Sequence, residues 1–148
     1  MDATVELWRE SIKPGISKAL ELTPEDKMSW KPEETFLTFG DVFLHIARTS
    51  GWWYGEFMHG RKRKPVEEGF GYTKKELTEQ LEEHWERMEQ FFAEPDEALE
   101  KIYQIEHEGK IHEFSGCWVL IHMLEHDIHH RCQINQYLRI LGIEPPRI

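Results

Sequence analysis

Residues 122–142 read HMLEHDIHHRCQINQYLRILG, a helical pattern that carries four histidines within nine residues. Residues on an α-helix advance about 100° each, so the faces of this stretch can be separated. Together with Val119 from the turn before, Met123, Ile134, Tyr137 and Leu141 gather on one side, with Leu120 and Leu138 at its edge. His126 and His130 fall within that apolar face, one turn apart. His122 and His129 lie further round, beside Glu125 and Gln136. The helix is expected to start near Ser115 and to run to about Leu141, where Gly142 ends it and Pro145-Pro146 prevents continuation. A long helix with one apolar face must bury that face against other elements, so this stretch sets the question of what it packs on.

Upstream segments answer with more helices. The first is expected over Ala3–Leu20, with a kink or an early end at Pro14-Gly15. The connector LTPEDKMSWKPEET follows, held out of helix by its two prolines. A second helix is capped by Thr38, with Asp41 completing a capping-box arrangement, and runs to about Met58. A third starts at Thr73 with Glu76 at its third position. Leu77, Leu81, Trp85, Met88 and Phe92 then recur at spacings of three and four until Pro95 stops it. Between Pro95 and Ser115 the period changes: KIYQIEHEGKIHEF alternates apolar and polar around Gly109, which predicts a short hairpin. The predicted fold is therefore all-α, a four-helix bundle with a short β-hairpin before the last helix, forming a single domain over residues 1–148. The long second and third connections imply that not every neighbour in the bundle is a simple up-and-down pair.

Composition narrows the function classes. The 148 residues are 39% hydrophobic, with six Trp and eight Phe, enough to build a real core. A formal net charge of −10 argues against nucleic acid, which requires a basic stripe. The one basic cluster, Arg61-Lys62-Arg63-Lys64, sits between predicted helices and reads as a solvated loop. No apolar run is long enough to span a membrane, and MDATVELWRE lacks the basic start and apolar core of a secretory signal. Cys117 and Cys132 are too far apart for a CxxC pair and read as two reduced thiols in a cytoplasmic protein.

The i, i+4 spacing of His126 and His130 lets both imidazoles reach one metal ion, which would then need a third ligand from another helix. His45 is the best candidate, beside the apolar face made by Val42, Ile46, Trp53 and Phe57. Core-facing histidines can equally be hydrogen-bonded packing residues, and spacing alone leaves both readings open. His59, His84, His107 and His112 read as surface residues.

With these residues in place, the chain resembles the DinB/YfiT-like family of metalloenzymes. The resemblance rests on His45 in DVFLHIARTSGWW and on HDIHHRCQINQYLRILGIEPP. There His126 and His130 match the HxxxH pair, Arg131 and Gln133 its flank, and Leu141-Gly142 with Pro145-Pro146 the close. Cys132 departs from the glycine usual between the Arg and the Gln, and on the wheel it lies away from the pair. The resemblance implies that His45, His126 and His130 hold a divalent ion, zinc or nickel, with open positions for a small-molecule substrate. Three neutral histidines suit a catalytic rather than a closed structural site. Such an ion lowers the pKa of a water or accepts a thiolate, so hydrolysis or thiol S-transfer with a low-molecular-weight thiol follows as the expected chemistry. The alternative is a non-catalytic, metal-binding, stress-associated bundle protein. A homodimer is expected in either case, the tryptophans supplying an aromatic interface. Arg131 can contact an acidic substrate group or pair with a nearby carboxylate. Asp127 can hydrogen-bond to another helix or lie at a subunit contact, and Trp52 and Trp53 can line the pocket mouth or belong to the core.

Overall fold

Helix α1 spans residues 2–22 and answers the Pro14-Gly15 interruption without breaking. Its α-helical start, Asp2–Leu7, passes into a π-helical stretch, Trp8–Ile12, before α-helix resumes over Lys13–Leu22. Proline has no N–H to donate, and here it falls in the first turn after the register change, where a missing donor costs least. Helix α2 covers residues 39–58, α-helical over Phe39–Ser50 and π-helical over Gly51–Met58. Thr38 caps it by accepting from the Asp41 N–H at 3.1 Å. Helix α3, Lys74–Phe92, opens with a complete Thr73/Glu76 capping box. A short helix α4, Asp96–Glu100, then leads into the hairpin of β1, Ile102–His107, and β2, Lys110–Ser115. The antiparallel register pairs His107 with Lys110. Glu108 and Gly109 form the turn, both at positive φ (51° and 73°), as a two-residue hairpin with right-handed strand twist requires. Helix α5, Gly116–Ile140, is capped by Ser115. Its end is a Schellman arrangement at Gly142 (φ 76°), with Ile143 N–H donating to the Leu138 carbonyl at 2.9 Å.

This computed structural model describes residues 2–147, so Met1 and Ile148, the ends of the expected domain, lie outside the described residues. Among the described residues the four long helices form the predicted bundle with the hairpin before its last helix. Helix α2 packs against α3 and α5, and α1 packs against the same two, so α1 and α2 face each other across the bundle. The long 59–73 connection links the closely packed α2 and α3. Trp8, Phe39, Phe43, Ile46, Leu77, Met88, Phe91, Met123 and Ile134 form the solvent-free core. Each large apolar side chain so buried contributes roughly 1.5–3 kcal/mol. On α3 the core takes Phe91, whereas Phe92, expected there, is half-buried against Trp8 at a centroid distance of 5.1 Å. No helix among the described residues is long and apolar enough to cross a membrane.

Candidate metal centre

Antiparallel to no strand and held only by helix packing, α2 and α5 bring His45, His126 and His130 together. One ring nitrogen of each lies within 4.8 Å of the others. His45 Nε2 and His126 Nε2 are 2.9 Å apart. The ring of His130 stands 4.7 Å from that of His45 and 4.4 Å from that of His126, centroid to centroid. The burial is graded: His126 belongs to the core, His130 is half-buried and His45 is exposed, so the cluster opens toward solvent on the α2 side. Thr49, one turn after His45, donates its hydroxyl to the His45 carbonyl at 2.6 Å and sets its oxygen 3.3 Å from His126 Nε2.

The donor set fits a metal ion. Partial desolvation by the packed helices lowers the pKa of His45, with the neighbouring His126 adding to the effect. Burial pushes that of His130 down to about 4, against the opposing hydrogen bond to Gln133. Both rings are thus neutral at neutral pH and offer lone pairs. Nitrogens bound tetrahedrally at about 2.0–2.1 Å from one ion sit about 3.4 Å from each other, a spacing bracketed by the cluster. Among the described residues these three are the group whose ligand atoms meet this criterion.

Beneath the cluster lies a network that ties the helices together. Asp127, wholly buried, accepts from Trp8 Nε1 of α1 at 3.0 Å and from His84 Nε2 of α3 at 3.0 Å. His84 Nδ1 lies 2.7 Å from the Ser50 hydroxyl, which also accepts from Arg87 Nε at 3.0 Å. Burial pushes the Asp127 carboxyl up, but the neighbouring His84 and the hydrogen bonds from His84 and Trp8 outweigh it and hold it well below the usual carboxylate range. Its Oδ1 stands 3.9 Å from His126 Nδ1, a buried nitrogen with no hydrogen-bond partner among the described residues. A carboxylate beside the remote nitrogen of a ligating histidine raises the basicity of the ring.

His84 corrects the sequence reading, which set it on the surface because glutamates flank it. It has no exposed area. Its position was legible on the wheel, three residues after Leu81 and seven after Leu77, on the same stripe that buries them. Of the other histidines taken as surface residues, His107 and His59 are exposed and His112 is half-buried in the hairpin. Asp127 does hydrogen-bond to other helices, and to two of them. Arg131 is joined to α1: its Nη1 donates to the Ser11 hydroxyl at 3.2 Å and lies 3.3 Å from the Ser11 carbonyl. Its expected carboxylate partner is thus replaced by neutral acceptors. Gly15 permits this approach, since a Cβ there would meet Arg131 Cδ at 3.1 Å.

His122 is half-buried, stacked on Trp118 at 5.0 Å with an interplanar angle of 17°. Trp53 packs edgewise on His122 and Phe114 and at a tilt on Trp118. Cys117 and Cys132 are exposed free thiols, and Cys132 is not in the histidine cluster.

The profile of the DinB family matches residues 7–148. Two solved structures share the fold. A DinB-like protein from Bacillus subtilis is 20% identical, with a TM-score of 0.74 over 99% of this chain and 97% of its own. A DinB-like protein from Bacillus cereus ATCC 10987 is 17% identical, with a TM-score of 0.75 over 100% of this chain and 97% of its own. No match is found among curated proteins. The profile match runs through His45, His126 and His130 and on to the last residue, and the chain belongs to the DinB family.

Proposed function

We propose that His45, His126 and His130 hold one divalent ion, zinc or nickel, and that the protein is a metal-dependent hydrolase or thiol S-transferase acting on a small molecule. The convergence of one ring nitrogen from each of these histidines within 4.8 Å carries this reading. When bound, the ion supplies Lewis acidity to a water or a low-molecular-weight thiol in the positions the histidines leave open. The chain's own residues do the rest. His126 closes the core side of the centre, and His45 leaves the solvent side open for a substrate to enter. Asp127 sets a fixed negative charge behind His126, and the Thr49 oxygen provides a polar wall between His45 and His126.

The same reading makes the protein a cytoplasmic homodimer of one domain over residues 1–148 that binds no nucleic acid. The exposed apolar strip of Trp118, Ile121 and Ile128 along α5 supports the dimer, and light scattering in solution tests it. The function itself is tested by screening zinc- and nickel-loaded protein for thiol conjugation and for ester and amide hydrolysis, with His126→Ala as the control. Activity lost in that variant supports the proposal. Activity retained in it removes the metal centre as its source. Metal bound without any such activity favours a non-catalytic metal-binding protein.

A further inference from the structure

We infer that Gln133 and Tyr137 are positioning residues that fix the tautomer of His130, keeping its ring proton on Nδ1 and leaving Nε2 as the lone-pair nitrogen.

The chain of reasoning starts at a group that can only accept. The Leu37 carbonyl lies 2.8 Å from the Tyr137 hydroxyl, which must therefore donate its single hydrogen to it. That hydroxyl oxygen is also 3.0 Å from the Gln133 side chain. Its hydrogen being engaged, the oxygen can only accept there, so the amide nitrogen of Gln133 must face Tyr137. The amide oxygen then faces the other way, onto His130 Nδ1 at 2.8 Å. An amide oxygen only accepts, so Nδ1 carries the proton. A neutral imidazole has one N–H, which leaves Nε2 unprotonated.

Every link in this chain is held from outside the centre. Tyr137 is buried and wedged edgewise against Trp30 at 5.7 Å and Phe39 at 5.2 Å. Leu37 immediately precedes Thr38, the cap of the helix that carries His45. The connector before α2 thus reaches the far ligand through two side chains spaced one turn apart on α5. His126 is served differently, by the charge of Asp127 at 3.9 Å, so the two ligands of α5 have a neutral amide and a carboxylate behind them.

The consequence for metal affinity rests on the proposed metal centre, but the tautomer is a property of the metal-free protein. The test is histidine side-chain nitrogen NMR on metal-free protein at mildly alkaline pH, followed by zinc titration against a competing chelator. The variants are Gln133→Leu, Gln133→Glu and Tyr137→Phe. Wild-type His130 should show Nδ1–H alone. Gln133→Leu should give mixed tautomers at His130 and weaken zinc by roughly 10–100-fold. Tyr137→Phe, which preserves the ring packing, should shift His130 in the same direction by less. Gln133→Glu retains an acceptor for Nδ1–H and should keep both the tautomer and the affinity. Nε2–H in the wild type, or an unchanged His130 in folded Gln133→Leu, overturns the inference. A tautomer that shifts as stated in a protein that binds no zinc leaves the inference standing and removes the metal centre instead.

Discussion

At Asp127 a carboxylate without solvent access meets an indole N–H from α1 and an imidazole from α3, and it is the presence of both partners that makes its burial tolerable. Truncation leaves the Trp8 and His84 donors unpaired in the core, so Asp127→Ala should lose about 3–5 kcal/mol of unfolding free energy, measured by urea denaturation. A loss below about 1 kcal/mol would mean that the network adds little. His130 gives the metal-free protein a pH dependence of definite sign. Its folded pKa of about 4 lies below the ordinary 6.5, so between these values the unfolded chain binds a proton that the folded ring refuses. Stability of the metal-free protein should therefore fall as pH drops from about 6.5 toward 4, and His130→Asn should flatten that slope in thermal melts at stepped pH. At this scale the sequence shows which histidines face inward through the helical wheel, but it hides their partners. Trp8 and His84 come from two different helices, and only packing brings them to Asp127, as it brings Ser50 of a third helix to His84.

Element boundaries were written in local chemistry, which is why they were legible. Thr38, Thr73 and Ser115 each cap a helix by accepting a backbone N–H three residues on, and Gly109 and Gly142 take the positive φ that their turns demand. The π-helical stretches Trp8–Ile12 and Gly51–Met58 were not legible. Over five to eight residues a register change of one hydrogen bond per turn barely alters an apolar spacing. Helix α4 was missed for a related reason, being too short to show a period. It nonetheless fixes the start of α5. A Cβ at Gly116 would stand 2.3 Å from the Ala98 carbonyl oxygen and 2.9 Å from Leu99 Cα, both backbone atoms that cannot swing aside. Gly116→Ala should therefore destabilise the protein by about 1–3 kcal/mol, read from the denaturation midpoint, by prising α4 from α5. An unchanged midpoint would show that the α4–α5 contact yields freely.

Across the whole molecule, the bundle class and the histidine triad were accessible from sequence because both follow from periodicity and from an ordered set of residues. The arrangement of helices was less so. That α1 and α2 lie across the bundle from each other depends on which apolar faces fit best, a property of three-dimensional packing rather than of connection length. That arrangement is what lets α2 and α5 meet along the seam where His45 faces His126 and His130. A ligand that binds only the folded state stabilises it by mass action, by about 2.7 kcal/mol when its free concentration is a hundredfold above Kd. The most direct measurement is therefore a calorimetric titration of metal-stripped protein with zinc and with nickel, paired with thermal melts and repeated on His45→Ala, His126→Ala and His130→Ala. The expected result is one ion per chain with a raised melting temperature, and binding weakened or lost in each variant. Absence of binding with an unchanged melt, or wild-type affinity retained in the three variants, would contradict the three-histidine centre.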